Sequence, residues 1–220
     1  MYKNIYIKIM ETIKVVLIGD SGLGKTSIIQ RYVNDVYDPN QLLSSSAQFI
    51  TKTVELNDEQ SIKFDVWDTA GQEKFRALAK IFYKDAKAIV LVYDITNRSS
   101  FEQLQNYWFK EIEENSLSDA ILVIVGNKSD LYENEQVSDK EGQKFADEKN
   151  AIFKRTSALS NRNIDSLFKD IAKKYFDPKY DYQAEDRKIK EKFFEKKFNQ
   201  SINEDKINLT MSENSNSNCC

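Results

Sequence analysis

Apolar residues follow two alternating patterns along the chain. Short apolar runs rich in β-branched residues are typical of buried strands, and the segments between them carry apolar residues at helical spacing. Residues 86–94 and 120–127 are almost continuously apolar, which is typical of central parallel strands covered on both faces. Residues 47–56 and 61–67 alternate apolar and polar positions around a turn, which predicts an antiparallel pair.

Two further runs, 12–19 and 151–157, bring the number of predicted strands to six. Amphipathic segments separate them, the clearest over residues 164–175, and Ser138 to Glu141 reads as a helix-starting capping box. Strands that alternate with helices predict an α/β fold: a doubly wound, six-stranded, mostly parallel sheet with helices on both faces. Such sheets bind ligands beyond the carboxyl ends of their strands.

Composition narrows the class of protein. The 220 residues suffice for one ordinary domain and a tail. A net charge of −3 argues against a protein that coats nucleic-acid phosphates, and the lack of histidine excludes Ser-His-Asp triads and histidine metal sites. No apolar run approaches the roughly 18 residues of a membrane span, and the N-terminus is a poor signal peptide.

Pro178 follows the last strong helical pattern and predicts a domain boundary. We therefore divide the chain into an N-terminal extension (1–12), a globular domain (13–176) and a polar tail (177–220). Within the tail, the segment 187–198 carries six basic and two acidic residues, and apolar residues recur every fourth position from Phe194. Two interpretations remain open for this segment: a solvated helix, or a helix that binds a membrane or a partner.

Residues 19–26, "GDSGLGKT", match the G-x-x-x-x-G-K-[ST] pattern of a P-loop and lie between a predicted strand and a predicted helix. Glycines let backbone N–H groups approach phosphate oxygens, and the helix N-terminus adds a favourable dipole. Lys25 is expected to reach the β- and γ-phosphates, and Thr26 to give its hydroxyl to Mg²⁺. The predicted phosphate-binding residues are Ser21, Gly22, Leu23, Gly24, Lys25, Thr26 and Ser27.

A second motif, "DVWDTAGQE" over residues 65–73, ends the third predicted strand. We expect Asp68 to hold Mg²⁺ through a water molecule and Gly71 to present its N–H to a γ-phosphate. Gln72 is the candidate catalytic residue, because its amide can orient an attacking water.

The motif "GNKSD", residues 126–130, follows the fifth strand and predicts recognition of the base. Guanine offers two donors on one edge, which the Asp130 carboxylate can accept, whereas adenine presents the wrong pattern. Asn127 is expected to connect this loop to the phosphate loop, and the Lys128 stem to cover a face of the base.

The shorter motif "TSAL", residues 156–159, follows the sixth strand. The backbone N–H groups of Ser157 and Ala158 are predicted to meet guanine O6, with Leu159 beside them. This motif is weak by itself, because so short a sequence is also common in ordinary turns.

In order and spacing, these four motifs resemble those of the Ras superfamily of small GTPases. "LVYDIT", "KFDVWDT", "FYKDA" and the terminal Cys219 and Cys220 are similar to the Rab family within it. The resemblance covers roughly residues 12–176 and the terminus. It implies a switch in membrane traffic that recruits effectors when GTP is bound and is extracted from membranes when GDP is bound. It also places Tyr37 beside the base.

The resemblance implies further contacts with partners. Phe49, Trp67 and Tyr83 match an aromatic triad that faces effectors in Rab proteins, although these residue types are equally common in an ordinary core. The segment "AQFITKTV", residues 47–54, is more similar to endosomal than to secretory Rabs, so an endosomal membrane is the expected location.

The serines of residues 44–46 depart from the family pattern, in which this loop carries Thr-Ile-Gly. Ser44 occupies the position whose hydroxyl binds Mg²⁺ and whose N–H binds the γ-phosphate. Ser44 keeps a hydroxyl but lacks the methyl that restricts χ1, and Ser46 replaces a glycine. We therefore expect this loop to close less tightly on GTP while nucleotide binding is retained.

The leading interpretation is a prenylated switch that binds GTP and Mg²⁺ and hydrolyses GTP slowly. No arginine is obviously placed to act in cis, so an activating protein is expected to supply one. The other expected partners are an exchange factor, a GDP dissociation inhibitor, a Rab escort protein, geranylgeranyl transferase and effectors. An alternative is a nucleotide-locked scaffold with weak γ-phosphate sensing, while Asp130 argues against an ATPase or kinase.

Overall fold

The computed structural model describes residues 11–41, 48–57, 60–69, 82–115, 119–188 and 191. Six strands in these ranges form one sheet in the order β2-β3-β1-β4-β5-β6. They are β1 (Thr12–Ile18), β2 (Gln48–Glu55), β3 (Ser61–Asp68), β4 (Ala88–Asp94), β5 (Ile121–Asn127) and β6 (Ile152–Arg155). All neighbouring strands are parallel except β2 and β3, which are antiparallel, so the predicted sheet is confirmed.

Helices connect the strands as the sequence predicts. The described helices are α1 (Lys25–Asn34), α2 (Arg98–Gln103), a π-helical stretch (Leu104–Trp108), α3 (Phe109–Asn115), a 3₁₀ turn (Tyr132–Asn134), α4 (Asp139–Glu148) and α5 (Ile164–Phe176). The predicted capping box is present, since the Ser138 hydroxyl accepts from the Glu141 N–H and the Glu141 carboxylate accepts from the Ser138 N–H.

Burial follows the hydrophobic pattern of each strand. Every residue of β4 is buried, as expected for a strand covered on both faces, whereas β3 alternates buried and partly exposed positions. The ring of Phe168 on α5 stacks on Tyr32 of α1 with centroids 3.6 Å apart and also contacts Phe64 of β3. Because β1, β3, β4, β5 and β6 run parallel, their carboxyl ends lie at one edge of the sheet.

The chain divides into two compact units, Met1–Pro178 and Lys179–Cys220, and the sheet lies entirely in the first. In the second unit, residues 182–188 are helical. Among the described residues, none of the helices has the length and apolar character needed to cross a membrane.

Candidate functional site

The phosphate loop connects β1 to α1 through residues 19–24 in a backbone path that favours glycine. Gly19, Gly22 and Gly24 have φ angles of +141°, +77° and +88°, which L-residues adopt only with strain. Gly24 is the N-cap of α1 and no side chain caps the helix. The first N–H groups of any α-helix have no acceptor within the helix, and this positive end of α1 favours an anion.

Lys25 lies inside this loop. Its side chain is buried, and its Nζ donates hydrogen bonds to the carbonyl oxygens of Gly19 at 2.9 Å and Asp20 at 2.7 Å. Burial lowers the pKa of Lys25 to about 8, while the Asp68 and Asp20 carboxylates oppose that shift. The loop therefore fixes one ammonium group where phosphate oxygens would arrive.

Two oxygen ligands suited to Mg²⁺ lie together beside Lys25. The Thr26 Oγ1 donates a 2.7 Å hydrogen bond to Asp68 Oδ2, which connects the start of α1 to the end of β3. The next residue, Thr69, donates from its hydroxyl to the Leu17 carbonyl at 2.7 Å. A hydroxyl and a carboxylate fit a hard cation that takes its remaining ligands from phosphates and water.

Asn127 connects the base loop to the phosphate loop. Its Nδ2 donates to the Leu23 carbonyl at 2.8 Å, and its Oδ1 accepts from Thr156 Oγ1 at 3.0 Å. A Cβ at Gly24 would lie 2.4 Å from the same Nδ2. Three separate segments thus meet on one buried amide, and Gly24 is needed for that approach.

Asp130 and Ser157 form the second connection at this end of the site. The Ser157 Oγ donates to Asp130 Oδ1 at 2.5 Å and accepts from the Ser160 N–H at 3.0 Å. This hydrogen bond holds one oxygen of the carboxylate. The Oδ2 atom of Asp130 makes no hydrogen bond to any described residue, so it can face a ligand.

The prediction for the Ser157 N–H is wrong. This N–H donates to the Arg162 carbonyl at 3.1 Å as half of an isolated β-bridge, so it is not available to guanine O6. Sequence reasoning missed the bridge because its two residues are brought together only by the turn between them. The Ala158 N–H makes no hydrogen bond within the described ranges and remains the candidate donor to O6.

Lys128, between Asn127 and Asp130 in the base loop, has a left-handed backbone conformation with φ of +62°. Its Nζ forms an ion pair with Asp94 Oδ2 at 2.7 Å, and Asp94 is 7 % exposed. The ion pair holds the ammonium of Lys128 at the end of β4.

Arg31 is a contributor that sequence reasoning missed. Its guanidinium donates to the Ala158 carbonyl at 2.8 Å, the Leu159 carbonyl at 3.4 Å and the Asp35 carbonyl at 2.8 Å. The side chain therefore connects the last turn of α1 to the loop after β6. No sequence signal pointed to it, because arginine on an amphipathic helix is ordinarily a solvated residue.

The other predicted site residues within the described ranges differ in exposure. Leu23 is buried, Gly22 is exposed, and Leu159 is 52 % exposed. Ser21, Ser27 and Tyr37 are partly exposed. Residues Ser44, Gly71, Gln72, Cys219 and Cys220 lie outside the described residues, as does most of the segment 187–202.

The three aromatic residues predicted to face effectors do not share one environment. Phe49 is 54 % exposed and stacks on Trp67 with centroids 5.0 Å apart, while Trp67 also contacts Phe82 at 6.2 Å. Tyr83 is 2 % exposed, so the structure places it in the core, which is the alternative that its residue type left open. Phe49 and Trp67 form the exposed aromatic surface of the β2–β3 pair.

The fold and these loops define a P-loop nucleotide-binding protein of the α/β class. The Ras family model matches residues 14–177. Human Ras-related protein Rab-22A is 42 % identical over 165 residues, which cover 75 % of this chain and 84 % of that protein. Ras-related protein SEC4 of Candida albicans is 42 % identical over 159 residues, 72 % of this chain and 75 % of its own length.

Human Ras-related protein Rab-30 is 40 % identical over 159 residues, which cover 72 % of this chain and 77 % of that protein. The chain belongs to the Ras family and, within it, to the Rab small GTPases. It is accordingly a GTP-binding hydrolase and a switch in membrane traffic at intracellular membranes. Guanine nucleotide and Mg²⁺ are the ligands of this family, and exchange factors, activating proteins, GDP dissociation inhibitors and effectors are its kinds of partner.

Proposed function

We propose that this Rab protein binds GTP through the residues described above, hydrolyses it slowly and recruits effectors in its GTP form. The observation that carries the proposal is the pair of hydrogen bonds made by Asn127, to the Leu23 carbonyl and from the Thr156 hydroxyl. They hold a phosphate-binding loop and a base-binding loop at a fixed separation, which is the arrangement that a single nucleoside phosphate requires.

At the phosphate end, the backbone of residues 21–27 and the Lys25 ammonium bind the phosphate oxygens. Thr26 gives its hydroxyl to Mg²⁺, Asp68 holds the ion through a water molecule, and Ser44 supplies a further hydroxyl when its loop closes. When bound, the ion neutralises charge on the β- and γ-phosphates. The 2.7 Å contact between Thr26 and Asp68 supports this assignment, because it keeps both ligands together before the ion arrives.

At the base end, Asp130 accepts from the two donors of guanine, and Ser157 orients the carboxylate through its hydroxyl. The Ala158 N–H donates to guanine O6. The Lys128 stem covers one face of the base, with Tyr37 at its edge. An adenine base would leave the carboxylate facing the wrong pattern of donors and acceptors.

For hydrolysis, Gln72 orients the attacking water and the Gly71 N–H contacts the γ-phosphate. Within the described ranges, Arg31, Arg98 and Arg155 are each engaged in contacts with protein groups. These three side chains are thus held on protein groups, and hydrolysis is slow until an activating protein supplies an arginine.

For membrane attachment, residues 13–176 form the GTPase domain and residues 177–220 a tail that ends in Cys219 and Cys220. Both cysteines are geranylgeranylated by the transferase together with an escort protein. One lipid chain gives marginal attachment and two give stable anchoring. The sequence of residues 47–54 favours an endosomal membrane.

Two substitutions test the proposed function. Gln72→Leu should slow single-turnover GTP hydrolysis without weakening GTP binding, because water orientation is lost while the phosphate contacts remain.

Thr26→Asn should lower affinity for GTP more than for GDP, because a bulkier amide replaces the hydroxyl ligand of Mg²⁺. An unchanged hydrolysis rate in the first variant, or equal losses for both nucleotides in the second, would remove that residue from its assigned role. Effector binding that is equal in the GTP and GDP forms would favour the nucleotide-locked scaffold.

A further inference from the structure

Trp108 contacts the phosphate loop from a helix that is distant in the sequence. Its indole Nε1 donates a 3.0 Å hydrogen bond to Asp20 Oδ1, across 88 residues of chain. The Trp108 side chain is only 4 % exposed. In the sequence, Phe101, Leu104, Trp108 and Ile112 recur at helical spacing, which indicates only an apolar helix face, so this polar contact is a finding of the structure.

The helix is irregular where Trp108 lies. The Phe109 N–H donates to the Leu104 carbonyl, five residues back, so the stretch from Leu104 to Trp108 is π-helical. Such single π-turns inside α-helices are frequent at functional sites. Trp108 and its neighbour Phe109 are both buried, yet the Phe109 ring contacts Phe145 on α4. Trp108 and Phe109 therefore contact two different parts of the molecule, Asp20 and Phe145.

Asp20 lies where its carboxylate matters electrostatically. Its backbone carbonyl accepts the 2.7 Å hydrogen bond from Lys25 Nζ, and its carboxylate attracts the Lys25 ammonium. A carboxylate and a phosphate compete for the same ammonium group. An Asp20 side chain that is free to move would pair with Lys25 in competition with the nucleotide.

We propose that Trp108 is a positioning residue for the phosphate loop, whose indole N–H holds the Asp20 carboxylate in place and so leaves Lys25 available to the nucleotide phosphates. This inference rests on the proposed function. The effect is larger for GTP than for GDP, because Lys25 is assigned to the β- and γ-phosphates and GDP lacks the second of these.

The test is a double-mutant cycle on the full chain with GTPγS and GDP in the presence of Mg²⁺. Trp108→Phe, which removes the N–H donor, should weaken GTPγS binding about tenfold, the scale of one hydrogen bond to a charged group. Its effect on GDP should be several-fold smaller. In an Asp20→Asn background, Trp108→Phe should cause no further loss, since the competing charge is gone. Tyr107→Phe, on the same π-helical stretch, is the matched control and should bind as the wild type does.

Each other outcome overturns the inference. An equal loss from Trp108→Phe in both backgrounds would show that the ring acts only by packing, and no loss in the wild-type background would show that the hydrogen bond has no effect. A wild-type protein that binds neither nucleotide would refute the proposed function itself, and the inference with it.

A second measurement applies where Trp108→Phe does not fold. The chain has two tryptophans, so Trp67→Phe assigns the indole ¹H–¹⁵N resonance of Trp108. The indole resonance of Trp108 should have a different chemical shift in the Asp20→Asn variant than in the wild-type chain. The GTPγS affinity of that variant should not be lower than that of the wild type. A resonance unmoved by Asp20→Asn, or a tenfold loss of GTPγS affinity in that variant, would contradict the proposed role.

Discussion

The two ends of the nucleotide site are built in different ways. The phosphate loop is one contiguous stretch, residues 19–26, whose shape comes from three glycines at positive φ and from the start of α1. The base end is assembled from the loops after β5 and β6 and from Arg31 on α1, which are connected by side-chain hydrogen bonds. A local sequence pattern therefore determines the shape of the phosphate loop, whereas tertiary contacts determine the arrangement of the base end.

Asn127 connects the phosphate loop to the base end of the site. Its amide contacts the backbone of the phosphate loop at Leu23 and the side chain of Thr156 beyond β6. Substitutions at the glycines of the phosphate loop should therefore act through the backbone, and those at the base end through individual side chains.

Gly24→Ala should damage both ends at once, whereas Gly22→Ala should damage only the local backbone. Both glycines have positive φ, so each alanine costs about 1–2 kcal/mol of strain. At Gly24 the new Cβ would also lie 2.4 Å from Asn127 Nδ2, while at Gly22 it meets no atom within 4 Å. Displacing that hydrogen-bonded amide costs about 1–3 kcal/mol more.

Urea unfolding at equal GDP concentration measures the difference between these two alanine variants. In an Asn127→Ala background, Gly24→Ala should cost no more than Gly22→Ala, because the atom it would strike is absent. Equal destabilisation of the two single variants would show that the approach of Asn127 to Gly24 does not limit the loop.

Asp130→Asn should change which base is bound without disturbing the phosphate end. The amide donates to the 2-oxo group of xanthine, and the lost hydrogen bond from guanine to a charged acceptor costs about 1.5–3 kcal/mol. Competition between GTP and xanthosine triphosphate measures the change in base preference. A variant that still prefers GTP would mean that Asp130 does not read the base.

Arg31→Met should loosen only the base end. The substitution keeps an aliphatic side chain but removes the donors to the Ala158 and Leu159 carbonyls. GDP and GTP should each be released about three- to tenfold faster. The factor should be the same for both nucleotides, because contacts to the base do not depend on the number of phosphates. Stopped-flow release of fluorescent nucleotides checks this, with Arg98→Met as a control for loss of an exposed arginine. A larger effect on GTP than on GDP would place Arg31 at the phosphate end instead.

The order of strands and helices could be predicted from the sequence because each element carries its own pattern. The buried run of β4 and the alternating run of β3 already indicated a central strand and an edge pair. The π-helical stretch could not be predicted, because the spacing of Phe101, Leu104, Trp108 and Ile112 fits an ordinary α-helix. What distinguishes it is the hydrogen bond from the Phe109 N–H to the Leu104 carbonyl.

The site was predictable to the extent that it is local. The positive φ angles of the phosphate loop agree with its glycine pattern. By contrast, the Ser157 N–H is occupied by Arg162, and Tyr83 is buried although its position matched a surface triad. Both depend on which groups the fold brings together, and a motif of four residues does not contain that information.

The most direct test of the account is an equilibrium titration of the nucleotide-free wild-type chain with GDP, ADP and xanthosine diphosphate in Mg²⁺. All three carry the same phosphates, so the phosphate end contributes equally and the differences report on the base end alone. GDP should bind at least about a hundredfold more tightly than ADP, because with ADP the Asp130 carboxylate loses both hydrogen bonds from guanine and faces an adenine edge. ADP affinity within tenfold of GDP affinity would contradict it.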